Sequence, residues 1–407
     1  MKKIILNSLL IVSMVCTSLL VQSRPVLAAA EQSATFTDIQ GHWAKAAIDT
    51  AVKSGYFKGY ADGTFKPNGT VTRAEFAALL SRATKTQAEN AQTNVFADLA
   101  GHWSEAEVNR AVSLGYVNPS DYPNGFKPST PITRAEIAKW MTSGLAAGDA
   151  DYKQALQDTV TTVLPVKEYF KPGIPQSQAP YIAVSLGTKL MSGYPDGSFG
   201  LTKQATRAEA SAILLRLNEV SQQEASSFVG LNELREVGTE RTNMESISPF
   251  RTRAGTSVNG IIGKKYTFRN KSGSMTVKNI LVVDSQDFTN IKGIYGPLFV
   301  DKNYKFQRID VKGMYRVFAE ITIYPVKEKF YASNYYEGAP SLLVGMYSEN
   351  KLPEKFGYTM IPRTPSYDFY LKSGVTLWVN LLWEIDEFPR WVDFDDGTKL
   401  DIEVRNN

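Results

Sequence analysis

An arginine recurs three times in the same local setting, which suggests that it binds an anion. Arg73, Arg134 and Arg207 each stand second in a Thr-Arg-Ala-Glu quartet that leads into an alanine- and leucine-rich run. The guanidinium group offers a planar fork of donors that fits a carboxylate or a phosphate. Free amides at the start of a helix would add donors for the same anion. The alternative is that each arginine forms a salt bridge to a neighbouring repeat.

The threonine and glutamate of each quartet predict the start of a helix. A threonine followed three residues later by glutamate is a capping box, in which each side chain accepts a hydrogen bond from the other residue's amide. An arginine in the first turn faces the positive end of the helix dipole and is slightly unfavourable there. Because the helix gains nothing from the arginine, its repetition favours a role outside the helix.

Two further blocks repeat ahead of the quartets with equal spacing. Residues 36–43, Phe-Thr-Asp-Ile-Gln-Gly-His-Trp, correspond to residues 96–103, Phe-Ala-Asp-Leu-Ala-Gly-His-Trp. Apolar residues at helical spacing follow each block, and a loop with an Asp-Gly or Asn-Gly turn precedes each quartet. A third copy is clear only in its second half, and Asp158 is the candidate for its missing aspartate. The unit is therefore helix, loop, helix, and three units must pack together to bury their apolar faces.

These motifs in this order resemble S-layer homology repeats, the family that attaches exported bacterial proteins to the cell wall. The resemblance covers residues 32–217. It implies an all-α spindle of three repeats, at residues 32–95, 96–154 and 155–217. It also implies that grooves between the repeats bind secondary cell-wall polysaccharide, which typically ends in a pyruvylated amino sugar.

The chemistry of such a ligand suits the repeated residues. A pyruvyl ketal presents one carboxylate on a sugar, which calls for a bidentate arginine and an aromatic face against the ring. Tyrosines at 60, 122 and 194 are aromatic candidates beside the two tryptophans, which could instead be core residues. The aspartates of the Phe-x-Asp motif could accept sugar hydroxyls or cap the next helix, and His42 and His102 are expected to be structural. In the family, backbone at a loop glycine also contacts the ligand. The predicted glycan-binding residues are Arg73, Arg134, Arg207, Trp43, Trp103, Asp38, Asp98, Gly59 and Gly193.

The repeats are not equivalent, which bears on how many grooves are complete. The second repeat has Asn118-Pro119-Ser120-Asp121 where the others have the loop glycine. The third repeat has no His-Trp pair, and a proline-rich loop at residues 171–178 is inserted there. Grooves that depend on these positions are therefore in question.

The first 30 residues predict a secretory signal peptide. Lys2 and Lys3 precede a charge-free, mostly apolar stretch at residues 4–21, and the run Ala28-Ala29-Ala30 follows. A retained membrane anchor is the alternative. The only cysteine, Cys16, lies in this segment, so the mature chain would have no thiol and no cysteine metal site.

The mature chain is close to neutral, which argues against bulk attraction to polyanions. The net charge is +4, but residues 31–217 carry 18 basic and 17 acidic side chains, and residues 218–407 carry 24 of each. This balance does not support binding to nucleic acid or to an anionic membrane. Any recognition of an anion must therefore be local.

The remainder of the chain predicts a connector and a second domain. Residues 218–248 are polar, and we interpret them as a connector or helical spacer. Strand-like alternation appears at residues 276–283, 315–324 and 375–385. A hairpin is predicted at residues 391–404, around the turn Asp395-Asp396-Gly397-Thr398. The expected architecture is thus multidomain, an all-α three-repeat spindle followed by an all-β domain of sandwich type at residues 249–407.

The second half offers little catalytic chemistry. Both histidines of the chain and its cysteine lie before residue 218, which removes Ser-His-Asp and Cys-His catalysis there. Glu320 and Glu384 lie in predicted strands and leave open a wall-tethered carbohydrate hydrolase that uses an acidic pair. The aspartates at 393, 395 and 396 fit a hairpin turn better than a calcium loop. The tryptophans at 378, 383 and 391 fit a core.

From these features we expect a secreted, non-enzymatic surface protein with no cofactor and no metal. Its N-terminal half would anchor it to pyruvylated wall polysaccharide. Its C-terminal domain would be displayed for binding, adhesion or assembly into a surface layer, with no contact to nucleic acid or to a membrane after signal removal.

Overall fold

The computed structural model describes residues 36–84, 93–303, 311–326, 330–345, 351–361 and 374–405. The predicted signal peptide and Cys16 lie outside the described residues. None of the helices within these ranges has the length and apolarity needed to cross a bilayer.

Each quartet begins a helix with a capping box, as predicted. These helices are α2 (Arg73–Ala83), α4 (Arg134–Gly148) and α8 (Arg207–Val220). In α2 the Thr72 side chain accepts from the Glu75 amide, and the Glu75 carboxylate accepts from the Thr72 amide at 2.8 Å. The first helices of the three repeats are α1 (Lys45–Lys53), α3 (Glu105–Ser113) and α7 (Ala179–Gly187).

The three repeats close into a ring. Helix α3 packs on α2, α7 on α4, and α1 on α8, so each first helix lies on the second helix of the preceding repeat. Isolated antiparallel bridges join the segments ahead of the quartets, pairing Thr70 with Thr206, Thr72 with Pro131, and Thr133 with Gln204. This arrangement confirms the predicted spindle, because no single unit could bury its own apolar face.

Two helices, α5 (Ala150–Asp158) and α6 (Lys167–Phe170), lie between α4 and α7. The sequence-based assignment of Asp158 to the repeated aspartate is wrong. Its carboxylate accepts from Arg235 Nε at 2.8 Å, away from the loop of the repeat. The residue that takes the aspartate's place is Glu168 on α6, as described below.

Residues 218–248 form more structure than a polar connector requires. They contain α9 (Val229–Glu240) and the short α10 (Met244–Ile247). Leu231, Leu234 and Val237 on α9 are fully buried, and α9 packs against α5 and α7. The apolar face of α9 therefore completes the core beside the third repeat.

The C-terminal half is rich in antiparallel sheet, as predicted. A three-stranded sheet has the order β1-β7-β6, and a four-stranded sheet has the order β2-β3-β4-β5. The predicted hairpin is confirmed, with Trp391 opposite Asp401 and Asp393 opposite Lys399. The strands are β1 (Phe250–Thr252), β2 (Tyr266–Thr267), β3 (Gly273–Val283), β4 (Met314–Pro325), β5 (Val375–Glu384), β6 (Arg390–Asp393) and β7 (Lys399–Val404). Short helices also lie in this half, namely α11 (Gly296–Phe299), α12 (Ala332–Gly338) and α13 (Leu352–Phe356).

The four-stranded sheet is buried on both faces. One face shares a core with the three-stranded sheet, since Ile280 and Val317 belong to the same hydrophobic cluster as Phe250 and Ile402. On the other face, Phe318 stacks on Phe299 of α11 with ring centroids 4.3 Å apart, and this face continues the core of the helical half. A sheet covered on both sides has central strands that are almost continuously apolar, and this describes most of β3 and β4.

Candidate glycan-binding grooves

Each quartet arginine reaches from the start of its helix into the next repeat. Arg73 Nε donates to Glu136 Oε1 at 2.8 Å, and its Nη1 donates to the Phe126 carbonyl at 2.9 Å. Glu136 belongs to the second quartet, so this is a salt bridge between neighbouring repeats. The salt-bridge alternative from the sequence is therefore observed for Arg73.

Arg134 repeats this arrangement at the boundary of the second and third repeats. Its Nε donates to the Phe199 carbonyl at 2.9 Å and its Nη2 to the Ser192 carbonyl at 2.6 Å. Its Nη1 lies 3.4 Å from Glu209 Oε1. The arginine is only 4% exposed, so its donors are largely used within the protein.

Arg207 differs from the other two quartet arginines. It donates from Nε to the Phe65 carbonyl at 2.8 Å and from Nη2 to the Lys58 carbonyl at 2.9 Å. Within the described ranges it forms no ion pair with Glu75, the residue that corresponds to Glu136 and Glu209. Burial lowers the pKa of Arg207, although the nearby Glu75 carboxylate acts in the opposite direction. The guanidinium nevertheless remains charged, because an arginine is protonated at any physiological pH.

A tyrosine from each loop lies under the neighbouring arginine. The guanidinium carbons of Arg134 and Arg207 lie 4.6 and 5.0 Å from the ring centroids of Tyr194 and Tyr60, respectively. Tyr194 also donates to Glu209 Oε1 at 2.8 Å, and burial together with this bond raises its pKa to about 12. The tyrosines therefore hold the arginines in place by cation–π contact.

The two tryptophans are surface residues. Trp43 and Trp103 are 67% and 61% exposed, so the interpretation that they are core residues is wrong. Their histidine neighbours are structural, as expected, because His42 Nδ1 accepts the Ala44 amide at 3.2 Å and His102 Nδ1 accepts the Ser104 amide at 3.3 Å. An exposed indole next to a fixed helix start is available to stack on an apolar ligand face.

The repeated aspartates bind the loops of their own repeats. The two carboxylate oxygens of Asp38 accept the amides of Phe65 at 2.8 Å and Lys66 at 2.7 Å. Asp98 does the same for Phe126 at 3.0 Å and Lys127 at 2.7 Å. Partial desolvation would raise the pKa of Asp38, but the amide hydrogen bonds prevail and lower it. Neither aspartate caps the following helix, and their contact with sugar hydroxyls stays a prediction.

Sequence reasoning missed the third loop tether, Glu168. Its carboxylate accepts the amides of Phe199 at 2.8 Å and Gly200 at 2.7 Å. The interval from Glu168 to Phe199 is 31 residues, against 27 from Asp38 to Phe65 and 28 from Asp98 to Phe126. A search for any carboxylate near that interval would have found it, although the exchange of aspartate for glutamate hides the repeat.

The loop glycines permit close backbone approach. A Cβ atom at Gly59 would lie 2.0 Å from the Phe36 ring, and one at Gly193 would lie 3.0 Å from the Ser198 carbonyl. The preceding carbonyls, of Lys58 and Ser192, are those that Arg207 and Arg134 bind. In the second repeat a 3-10 turn at Pro119–Asp121 replaces this arrangement.

Two grooves bring together five of the nine predicted site residues. Groove 1, of about 220 Å³, is lined by Phe57, Lys58, Val71, Glu75, Ala78, Leu79, Arg82, Trp103 and Arg207. Groove 2, of about 1050 Å³, is lined by residues that include Trp43, Arg134, Gly193, Tyr194, Lys203, Glu209, Ala212, Ile213 and Arg216. Each groove thus contains one exposed tryptophan, a single carboxylate and three cationic side chains, one of which is a quartet arginine. Arg73, Asp38, Asp98 and Gly59 do not line either groove.

The third boundary, between Arg73 and Glu136, has bulkier side chains on its helix than the two grooves have. Lys139 and Trp140 stand where groove 2 has Ala212 and Ile213, and Trp140 is 1% exposed. Lys139 Nζ binds Asp121 at 2.6 Å, in the loop that replaces the glycine. The third repeat also brings no tryptophan to this boundary.

The acidic pair considered for hydrolysis is too widely spaced. Glu384 on β5 is opposite Met314 on β4, and Glu320 lies six residues further along β4. At roughly 3.3 Å per residue this places the two carboxylates about 20 Å apart. Glycosidases place their two carboxylates within about 10 Å of each other. Glu320 instead accepts from Asn279 Nδ2 at 2.6 Å.

The other candidates in the C-terminal half have structural roles. Asp395 accepts from the Thr267 hydroxyl at 2.6 Å, and Asp396 accepts the Thr398 amide at 2.9 Å within the hairpin turn. Trp378 and Trp383 are buried, whereas Trp391 on the edge strand β6 is 54% exposed.

Comparison with known proteins identifies the repeats. The model of the S-layer homology domain matches this chain three times, at residues 35–77, 95–138 and 171–211. Cell surface glycoprotein 1 of Acetivibrio thermocellus is 37% identical over 131 residues, and a cellulosome-anchoring protein of the same organism is 34% identical over 122 residues. An amylopullulanase of Thermoanaerobacterium thermosulfurigenes is 29% identical over 195 residues.

These similarities cover only part of each protein. They include 29%, 28% and 48% of this chain, but 6%, 27% and 10% of the three relatives, respectively. The relatives therefore share a module with this chain and differ from it over most of their length. An amylopullulanase shares this module as well as an anchoring protein, so the module does not by itself exclude an enzyme.

Proposed function

We propose that grooves 1 and 2 bind pyruvylated wall polysaccharide. The reason is that this chain carries three S-layer homology domains, which are found in secreted proteins of the bacterial cell wall. Binding there would hold the protein non-covalently at the cell surface. The C-terminal half would then be displayed outward as a non-enzymatic domain for binding, adhesion or assembly into a surface layer.

One observation carries this proposal, namely that an exposed tryptophan and a quartet arginine line the same groove in two places. An indole ring covers the apolar face of a sugar, and a guanidinium group binds its carboxylate. The excess of cations over carboxylates in each groove provides the local attraction that the near-neutral chain as a whole lacks.

The two grooves would bind the carboxylate with different donors. In groove 1, Arg207 uses Nε and Nη2 on carbonyls, and none of the described residues accepts from its Nη1. In groove 2, the donors of Arg134 are already engaged, so Lys203 would supply much of the charge. The Lys203 ammonium lies 3.7 Å from the Tyr194 ring centroid, beside Arg134.

Arg73 has a different role in this proposal. Its three nitrogens are used on Glu136 and the Phe126 carbonyl, and its boundary has no tryptophan. We therefore assign Arg73 to joining the first two repeats, and two binding sites to each chain.

The test is binding of the chain without residues 1–30 to purified cell walls, with and without their pyruvyl groups. We expect tight binding to pyruvylated walls only, with two sites per chain for a soluble pyruvylated sugar. Trp43→Ala combined with Trp103→Ala should abolish this binding, whereas Trp391→Ala is the matched control for an exposed tryptophan. Equal binding to walls lacking pyruvyl groups would overturn the proposal.

A further inference from the structure

Both grooves continue along a helix to a second arginine to which the anchoring proposal assigns no contact of its own. In groove 1 the floor is the face of α2 that carries Glu75, Ala78, Leu79 and Arg82. In groove 2 it is the face of α8 that carries Glu209, Ala212, Ile213 and Arg216. The spacing is the same on both helices, since the three residues that follow the glutamate stand 3, 4 and 7 positions after it. Residues at these intervals lie along one side of a helix.

The second arginine stands apart from the quartet arginine. Seven residues of helix span about 10 Å, so Arg82 and Arg216 lie roughly this far along the groove from Glu75 and Glu209. The quartet arginine of the neighbouring repeat lies at the glutamate end of each groove, within 3.4 Å of Glu209 in groove 2. Each groove therefore has cationic side chains at both ends and apolar side chains between them.

The second arginines have donors to spare within the described residues. Arg82 is exposed and donates from Nη1 to the Tyr56 carbonyl at 3.0 Å, and no carboxylate pairs with it. Arg216 is half-buried and has no ion pair in the described part of the chain. A half-buried cation on a groove wall without a carboxylate is favourable only if an anion or water reaches it.

The third boundary provides an internal comparison. On α4 the corresponding positions are Glu136, Lys139, Trp140 and Ser143. The second arginine is thus absent at the boundary that lacks the tryptophan and has bulkier residues on its helix, and present in both grooves that contain the tryptophan. A purely structural role for this arginine on the helix would not follow the presence of the tryptophan.

We propose that Arg82 and Arg216 form a second anion subsite in grooves 1 and 2, which binds an acidic substituent on the sugar next to the pyruvylated one. This inference rests on the proposed function, because it assumes that the quartet end of each groove binds the pyruvyl group. A single pyranose ring does not bridge a separation of about 10 Å, so the occupant is an oligosaccharide segment. The substituent is a carboxylate or a phosphate, since the guanidinium fork fits both.

The experiment compares two ligands on the full mature chain. One is the purified pyruvylated polysaccharide, and the other is the pyruvylated monosaccharide alone. For Arg82→Gln combined with Arg216→Gln we expect affinity for the polysaccharide to fall about tenfold or more, with unchanged affinity for the monosaccharide. The dependence of polysaccharide binding on salt concentration should also become weaker. Lys153→Gln, at an exposed lysine on α5, controls for loss of charge.

The outcomes separate this inference from the function on which it rests. An equal fall for both ligands would mean that the second arginine contacts the pyruvylated sugar itself, and no fall for either would mean that it binds nothing; each result overturns the subsite. Failure of the wild-type chain to bind either ligand would overturn the anchoring proposal instead. Enzymatic dephosphorylation of the polysaccharide identifies the substituent. If it is a phosphate, the difference in affinity between wild type and the double arginine variant disappears after treatment; if it is a carboxylate, the difference remains.

Discussion

Arg73 of the first repeat and Glu136 of the second are joined by two donors on one carboxylate oxygen. Nε lies 2.8 Å and Nη2 2.7 Å from Glu136 Oε1. The other oxygen, Oε2, accepts the amide of Thr133 at 3.0 Å and closes the capping box of α4. One carboxylate thus fixes the start of a helix and the arginine of the preceding repeat, which links local helix formation to assembly of the ring.

The quartet arginines should differ in their contribution to stability. Arg134→Gln is expected to lower the free energy of unfolding by about 3 kcal/mol, because it breaks a buried ion pair and leaves the carbonyls of Phe199 and Ser192 without a donor. Arg207→Gln, which breaks no ion pair, should cost about 1 kcal/mol. Urea denaturation of the two variants checks this order, and equal losses would contradict it.

The effect of replacing a tryptophan on stability should depend on whether its side chain is buried or exposed. Trp140→Ala is expected to destabilise the chain by about 3 to 5 kcal/mol, since this side chain is fully buried beside Phe126. Trp43→Ala and Trp103→Ala should change stability by less than about 0.5 kcal/mol while reducing binding to walls. Thermal unfolding and wall pull-down on the same samples measure both effects. A large loss of stability at Trp43 would argue that the indole serves the fold.

Two helical glycines provide a matched test of the packing of α9. A Cβ atom at Gly238 would lie 1.8 Å from the Asp158 carbonyl oxygen, whereas one at Gly148 would meet nothing within 4 Å. Gly238→Ala should therefore destabilise the chain by about 2 kcal/mol or more, because backbone must move. Gly148→Ala should be neutral or stabilising by up to about 1 kcal/mol, since alanine favours helix. If Gly238→Ala were also neutral, α9 would not pack as described.

Stability should fall with rising pH because of Glu233. This residue is fully buried, accepts from Asn243 Nδ2 at 2.8 Å and from the Ile294 amide at 2.9 Å, and burial raises its pKa to about 7. The usual pKa of a glutamate is about 4.3. Between this pH and about 7, the folded chain therefore holds a proton on Glu233 that the unfolded chain has lost. The stabilisation is therefore complete below this window and is lost through it, by up to roughly 4 kcal/mol.

The measurement is urea denaturation of wild type and Glu233→Gln at several values between pH 5 and 8. The glutamine variant should show a shallower decline, because it stays neutral throughout. Glu236→Gln is the comparison, since the Glu236 carboxyl has a raised pKa on the same helix. Parallel curves for wild type and Glu233→Gln would show that Glu233 does not titrate in this window.

The amino-acid sequence by itself determined the local features. Capping boxes at Thr72, Thr133 and Thr206 and the hairpin turn at Gly397 depend on residues within a few positions of each other. They can therefore be recognised from a short stretch of sequence alone. The repetition was visible in full for two units and in its second half for the third, and it required the units to pack together because none could bury its own apolar face.

Only the tertiary structure decided which of the repeated residues remain available to bind a ligand. The carboxylate that pairs with Arg73 belongs to Glu136, which lies 63 residues away in the sequence. The carbonyl that accepts from Arg134 Nε belongs to Phe199 of another repeat. Spacing cannot show whether a guanidinium is free or paired, nor whether Trp43 is inside or outside. The burial of α9 and of both sheet faces was hidden for the same reason. A face that packs on a distant segment has the same pattern as one that faces water until the chain closes on itself.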